Sequence, residues 1–172
     1  MEGFLQPLIP AVIIILIGLG LKKCLFFKIE VPTNSMFPAI HPGDQLLAVR
    51  VKSTERLKRG DIVVFRSAED LTGQGRDKLL IKRLIGLPFD QVELNNGAVF
   101  INGVKLDEAY VASRDEYGNS FRVPEGEFLF LGDNRPASFD SRFWLDPYVL
   151  KQDILARAIF RIAPLKSMGF IK

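Results

Sequence analysis

The chain has 172 residues, 48% of them hydrophobic, with a formal net charge of +3, one cysteine (Cys24) and one histidine (His41). That length supports one domain with a sizeable core. A lone cysteine excludes an internal disulfide, one Cys and one His exclude a zinc cage, and a mild charge without a basic stripe argues against nucleic acid as a partner.

Residues 3–21, "GFLQPLIPAVIIILIGLGL", carry no charge. As a helix this stretch reaches about 28 Å, close to a bilayer core of roughly 30 Å. Pro7 and Pro10 fall near its start, where a helix tolerates them. A secretory signal is the alternative, but the leading residues include Glu2 and neither Lys nor Arg. A retained membrane anchor over residues 1–28 is therefore expected. Lys22, Lys23 and Lys28 follow it, which by the positive-inside rule puts the rest of the chain in the cytoplasm.

From residue 29 onward the pattern is strand-like. "QLLAVRV" (45–51), "DIVVFR" (61–66) and "LLIKRLIG" (79–86) are short runs of apolar and β-branched residues. The polar stretch "EDLTGQGRDK" (69–78) predicts a mobile loop. "QVELNNGAVFINGVKL" (91–106) predicts a meander with turns at Asn95-Asn96-Gly97 and Asn102-Gly103. "EFLFLGD" (127–133) and "ILARAIFRI" (154–162) complete the set. The fold class expected is all-β and antiparallel.

Three stretches could carry chemistry. "PTNSMFP" holds Thr33 and Ser35 between two prolines that restrict the backbone; it is either a polar turn or a held nucleophile. Lys82 interrupts an apolar strand. A lysine there can snorkel to water, or it can stay dry. Dry, it must fall roughly 3 units from about 10.4 to act as a base near neutrality. A neutral lysine can deprotonate a serine without any histidine. The third stretch, "GDNRPASFDSR" (132–142), packs Asp133, Asp140, Arg135, Arg142, Ser138 and Ser141 into eleven residues. It is either a solvated loop or a set of buried ion pairs.

Taken in order, "NSMFP", "RGDIVVF", "KRLIGLPFD" and "GDNRPASFDSR" resemble the boxes of the type I signal peptidases, membrane-anchored Ser-Lys endopeptidases. The resemblance covers residues 28–165. It implies Ser35 as nucleophile and Lys82 as general base. The Ser35 amide and Thr33 hydroxyl then form the oxyanion hole, and Ser138 orients the lysine. Asp133 with Arg83 and Asp140 with Arg142 are implied as supporting ion pairs. Val31, Met36, Ile40 and Ile81 are implied as walls of shallow pockets for small substrate side chains. The partners implied are preprotein signal peptides and membrane lipid, with no metal and no cofactor. The catalytic domain (29–172) is implied to be on the extracytoplasmic or thylakoid lumenal side, against the positive-inside rule, and 91–124 to be a reduced β-ribbon insertion. His41 is expected in an exposed turn. Residues 24–27, Phe139, Phe143 and Trp144 are candidates for an apolar surface at the lipid interface, or for core. Departures from the family pattern are Pro136, Phe89 and Leu145. The competing expectations are a self-cleaving repressor, which lacks an anchor, and an inactive relative, which lacks Ser35 or Lys82.

Overall fold

Alternating apolar positions across residues 45–163 fold into two antiparallel sheets. The computed structural model describes residues 25–67 and 78–171. The expected anchor at 3–21 lies outside these, as does the 69–78 loop apart from Lys78. Among the described residues no helix is long and apolar enough to cross a membrane.

The strands in chain order are β1 (Phe26–Glu30), β2 (Gln45–Arg50), β3 (Ile62–Arg66), β4 (Leu79–Gly86), β5 (Gln91–Asn95), β6 (Ala98–Ile101), β7 (Val104–Lys105), β8 (Asn119–Arg122), β9 (Glu127–Leu131), β10 (Tyr148–Leu150), β11 (Ile154–Ala163) and β12 (Gly169–Phe170). The large sheet runs β1-β2-β11-β3-β4-β9-β10, with β12 added to β11; the small one runs β7-β6-β5-β8. Four strands were not foreseen: β1, β8, β10 and β12. Each is short or at a sheet edge, so little periodicity marks it.

The small sheet is built from two tight hairpins. Asn95 pairs with Ala98 and Ile101 with Val104, leaving Asn96-Gly97 and Asn102-Gly103 as two-residue turns. All four turn residues have positive φ, the conformation that matches the right-handed twist of the flanking strands.

Strands β3 and β4 are central and buried on both faces. Ile62 and Val64 join one apolar cluster with Ile81, Met36 and Ile40. Val63 and Phe65 point the other way, into a second cluster with Leu84 and Phe130. A third cluster, containing Ile85, Val92 and Leu131, joins the two sheets. Each fully buried side chain of this kind contributes roughly 1.5–3 kcal/mol. A shift of register between Leu84 and Gly86 in the β4–β9 pair helps send Ile85 into that third cluster. Lys82 sits opposite Val63 and Arg83 opposite Ile62, so two cations occupy the most buried strand of the protein.

Candidate active site

Ser35 lies in the turn between β1 and β2. Phe37 N–H donates to the Asn34 carbonyl (3.1 Å) and Ile40 N–H to the Met36 carbonyl (2.8 Å), which winds the chain tightly just past the serine. Met36 and Ile40 are driven into the first cluster and hold the turn down. Ser35 is left only 5% exposed, with its hydroxyl facing β4.

The Lys82 ammonium comes from the other side. Its Nζ donates to Ser35 Oγ at 2.7 Å, and Lys82 is 4% exposed. Among the described residues no carboxylate forms an ion pair with it. Desolvation dominates and lowers its pKa from the usual 10.5 to about 8; Asp140 and Asp133 pull upward and Arg142 downward. The two aspartates nearby favour the charged form and limit the fall. The Thr33 hydroxyl stands 3.3 Å from Ser35 Oγ and is exposed.

The 132–142 loop leaves the end of β9 and is buried rather than solvated. Arg83 grips Asp133 with two bonds, Nε to Oδ1 at 2.7 Å and a terminal nitrogen to Oδ2 at 2.6 Å. Arg142 does the same with Asp140, at 2.7 and 2.8 Å. Asp140 also accepts from Gly132 N–H at 2.9 Å. Asn134 reaches the serine turn: its backbone N–H donates to the Ser35 carbonyl (3.0 Å) and its side-chain amide to the Asn34 carbonyl (3.2 Å). Gly132 has no room for a side chain. A Cβ there would sit 2.1 Å from Ser138 Oγ and 2.6 Å from the Ser35 carbonyl oxygen.

Ser138 is buried at the site but makes no hydrogen bond to Lys82. Its Oγ has no partner among the described residues. The lysine is aimed at Ser35 instead. The four expected pocket residues, Val31, Met36, Ile40 and Ile81, come together in one buried cluster. His41 is exposed, with Phe37 edge-on to its ring at 5.1 Å. The aromatic candidates divide. Phe139 and Phe143 stack in the open, 52% and 45% exposed, whereas Trp144 turns inward against Phe65. Phe27 packs on the first cluster as part of β1. Cys24 lies outside the described residues.

Sequence reasoning missed a clamp on the loop. Residues 108–117, between β7 and β8, supply Glu108 to Arg135, Asp115 to Arg142, and the Tyr117 hydroxyl to the Arg142 carbonyl (2.7 Å). Ser113 bridges to Asn134, the residue that holds the Ser35 carbonyl. Tyr110 lays its ring over the Arg83 guanidinium, 3.9 Å from centroid to carbon. The only signal in the sequence was an acidic run, "DEAY…RDEY", with no hint of which arginines it would meet.

A model of the family described as "Signal peptidase, peptidase S26" matches residues 5–163. Signal peptidase I of Leptolyngbya laminosa is 36% identical over 159 residues, which span 90% of this chain and 77% of that protein. The chain belongs to the signal peptidase family, peptidase S26. Membership makes it a hydrolase of the serine endopeptidase class. Signal peptidase I S of Bacillus subtilis is 33% identical over 171 residues, spanning 91% of this chain and 88% of that one. A solved signal peptidase I from Enterococcus faecalis is 33% identical and covers 59% of this chain and 96% of that one, at a TM-score of 0.48.

Proposed function

We propose that this chain removes signal peptides from exported preproteins, cutting after small residues at the −1 and −3 positions, with Ser35 and Lys82 as a catalytic dyad. The observation that carries the proposal is the 2.7 Å contact between Lys82 Nζ and Ser35 Oγ in a setting dry enough to bring the lysine to about 8. Roughly a tenth of such lysines are neutral at pH 7. A bound peptide covering the site desolvates the amine further and raises that share.

In this mechanism neutral Lys82 takes the Ser35 proton as Oγ attacks the −1 carbonyl carbon. The Ser35 N–H and the Thr33 hydroxyl stabilise the oxyanion; one such donor contributes roughly 3 kcal/mol. Lys82 then gives the proton to the leaving amine. It next takes a proton from the water that hydrolyses the acyl-enzyme, and returns it to Ser35. Ser138, buried and with an unused hydroxyl beside Gly132, is assigned the role of accepting from the amine once the amine swings off Ser35. Val31, Met36, Ile40 and Ile81 back the pockets for small side chains.

The proposal also assigns residues 1–28 to a membrane anchor, 29–172 to an extracytoplasmic catalytic domain and 91–124 to a reduced ribbon. Long domains translocate largely regardless of charge, which weakens the positive-inside objection. A reporter fused at the C-terminus checks the side. The decisive test is mass spectrometry of a precursor incubated in detergent with wild type, Ser35→Ala and Lys82→Ala. Both variants are expected to lose at least a thousandfold in rate, a loss on the order of 4 kcal/mol, with unchanged circular dichroism. Near-normal cleavage by either one overturns the dyad.

A further inference from the structure

Around the active site, arginines are matched by carboxylates: Arg83 by Asp133, Arg135 by Glu108, Arg142 by Asp140 and Asp115. At the far end of β2 the pattern reverses. Arg50, Lys52 and Arg56 are exposed and have no ion-pair partner among the described residues. They rim a hollow of about 560 Å³ whose other walls include Leu25, Val51 and Leu57. An adjoining hollow of about 300 Å³ continues past Ser53 to Lys151. Volumes of this size suit a small ligand.

Opposing charge is scarce there. Among the described lining residues the one carboxylate, Glu55, accepts from the Ser53 hydroxyl at 3.4 Å. Arg157, also in the lining, is engaged by Asp61 at 3.2 Å. Arg50 is steadied by the Phe27 ring, 5.2 Å below its guanidinium. Cationic rim and apolar wall together fit an amphiphile with a negative head.

Position points to which amphiphile. Leu25 stands four residues beyond the uncharged stretch 3–21, with Lys22 and Lys23 between. A chain covers at most about 3.6 Å per residue, so the hollow opens within about 14 Å of that stretch. This step rests on the anchor assigned above, which sets the hollow at headgroup depth.

We propose that this hollow binds the headgroup of an anionic phospholipid. Arg50, Lys52 and Arg56 engage the phosphate, guanidinium forks matching its oxygens. Leu25, Val51 and Leu57 cover the glycerol and the first acyl carbons. A zwitterionic lipid binds less well, because its ammonium meets the same cations. The site lies apart from Ser35 and Lys82, so it seats the domain without touching the chemistry.

The test is native mass spectrometry of the full chain in a neutral detergent, titrated separately with dihexanoyl phosphatidylglycerol, dihexanoyl phosphatidylcholine and inorganic phosphate. One phosphatidylglycerol is expected to be retained, at least tenfold more tightly than phosphatidylcholine. The triple variant Arg50→Gln, Lys52→Gln, Arg56→Gln should weaken it roughly a hundredfold, at about fivefold per cation, and cleave a precursor in lipid-free detergent at the wild-type rate. Equal retention of the two lipids, or undiminished retention by the triple variant, overturns the site. Inorganic phosphate binding as tightly as phosphatidylglycerol overturns the lipid and leaves a bare phosphate site. No bilayer enters the titration. A chain that stays dispersed without detergent therefore removes the anchor alone, and the lipid preference still stands or falls on the titration.

Discussion

Lys82 and Arg83 are neighbours on β4, almost equally buried at 4% and 2%, yet the protein treats them in opposite ways. Successive strand residues point to opposite faces. On one face Arg83 donates two bonds to Asp133 and a third to the Gly60 carbonyl (2.8 Å), and it packs against the face of Tyr110. On the other, Lys82 finds one neutral hydroxyl. A guanidinium cannot shed its proton in a protein, so its burial requires a full complement of partners. An ammonium can, so burial without an anion moves its pKa instead. One strand thus holds a permanent charge matched by partners and a dispensable one that the proposed mechanism uses.

The largest way to break this contrast is to strip the partner from Arg83. Asp133→Ala leaves a permanent cation buried beside an apolar core. Removing one member of a buried pair costs roughly 3–5 kcal/mol, and chemical denaturation of the full chain in detergent should show it. Activity should fall in parallel, because the same loop holds the Ser35 carbonyl through Asn134. A loss under 1 kcal/mol would mean that Arg83 finds water on its own.

Lys82→Met should act in the opposite direction and stabilise the fold while abolishing cleavage. The folded pKa is lowered to about 8 from 10.5, so folding opposes the bound proton. Below about 8 both states are protonated and the full cost is present, roughly 3 kcal/mol at 1.36 kcal/mol per unit. Between about 8 and 10.5 the folded amine is neutral while the unfolded one is still charged, so the cost shrinks. Above 10.5 both are neutral and it vanishes. The stability gain of Lys82→Met should therefore be greatest at neutral pH and fade as pH rises through that window. A gain that stays flat with pH would come from packing, not from charge. In wild type the same titration should appear in kcat/KM, which rises about tenfold per unit up to a bend near the free enzyme's lysine pKa.

Strand β4 itself was legible: an eight-residue apolar run with a lysine and an arginine on alternate faces, and the structure starts and ends it at the expected residues. Both hairpin turns were legible too, since Asn-Gly encodes them chemically. The Ser35–Lys82 contact was legible only through resemblance to a family; 47 residues separate the two, and no periodicity reports a contact at that range. Arg135 to Glu108 spans 27 residues and was missed for the same reason. Ser138 was assigned to the lysine, but the fold turns the amine toward Ser35. The basic hollow was hidden as well, because Arg50, Lys52 and Arg56 are interleaved with Val51, Ser53, Thr54 and Glu55 and meet Arg157 only through the β2–β11 pairing. Phe89 shows the converse. It is one of the departures from the family pattern, and the structure holds it at φ 73°, where glycine is at ease and phenylalanine is not.

The smallest test concerns the ring over Arg83. Tyr110 could matter through its hydroxyl, 3.3 Å from Glu108, or through its face. Burial raises its pKa well above the ordinary tyrosine range, with Glu108 adding to the rise, so the phenol is neutral at any working pH. Tyr110→Phe keeps the ring and should cost only a few tenths of a kcal/mol, since the bond it loses is long. Tyr110→Leu removes the aromatic face and should cost about 1 kcal/mol in a thermal or denaturant melt. Neither should move the bend in the pH–rate profile, because Lys82 responds to Asp140, Arg142 and Asp133 and not to Tyr110. A displaced bend in Tyr110→Leu would show that the structural charge and the chemical one are coupled through the strand they share.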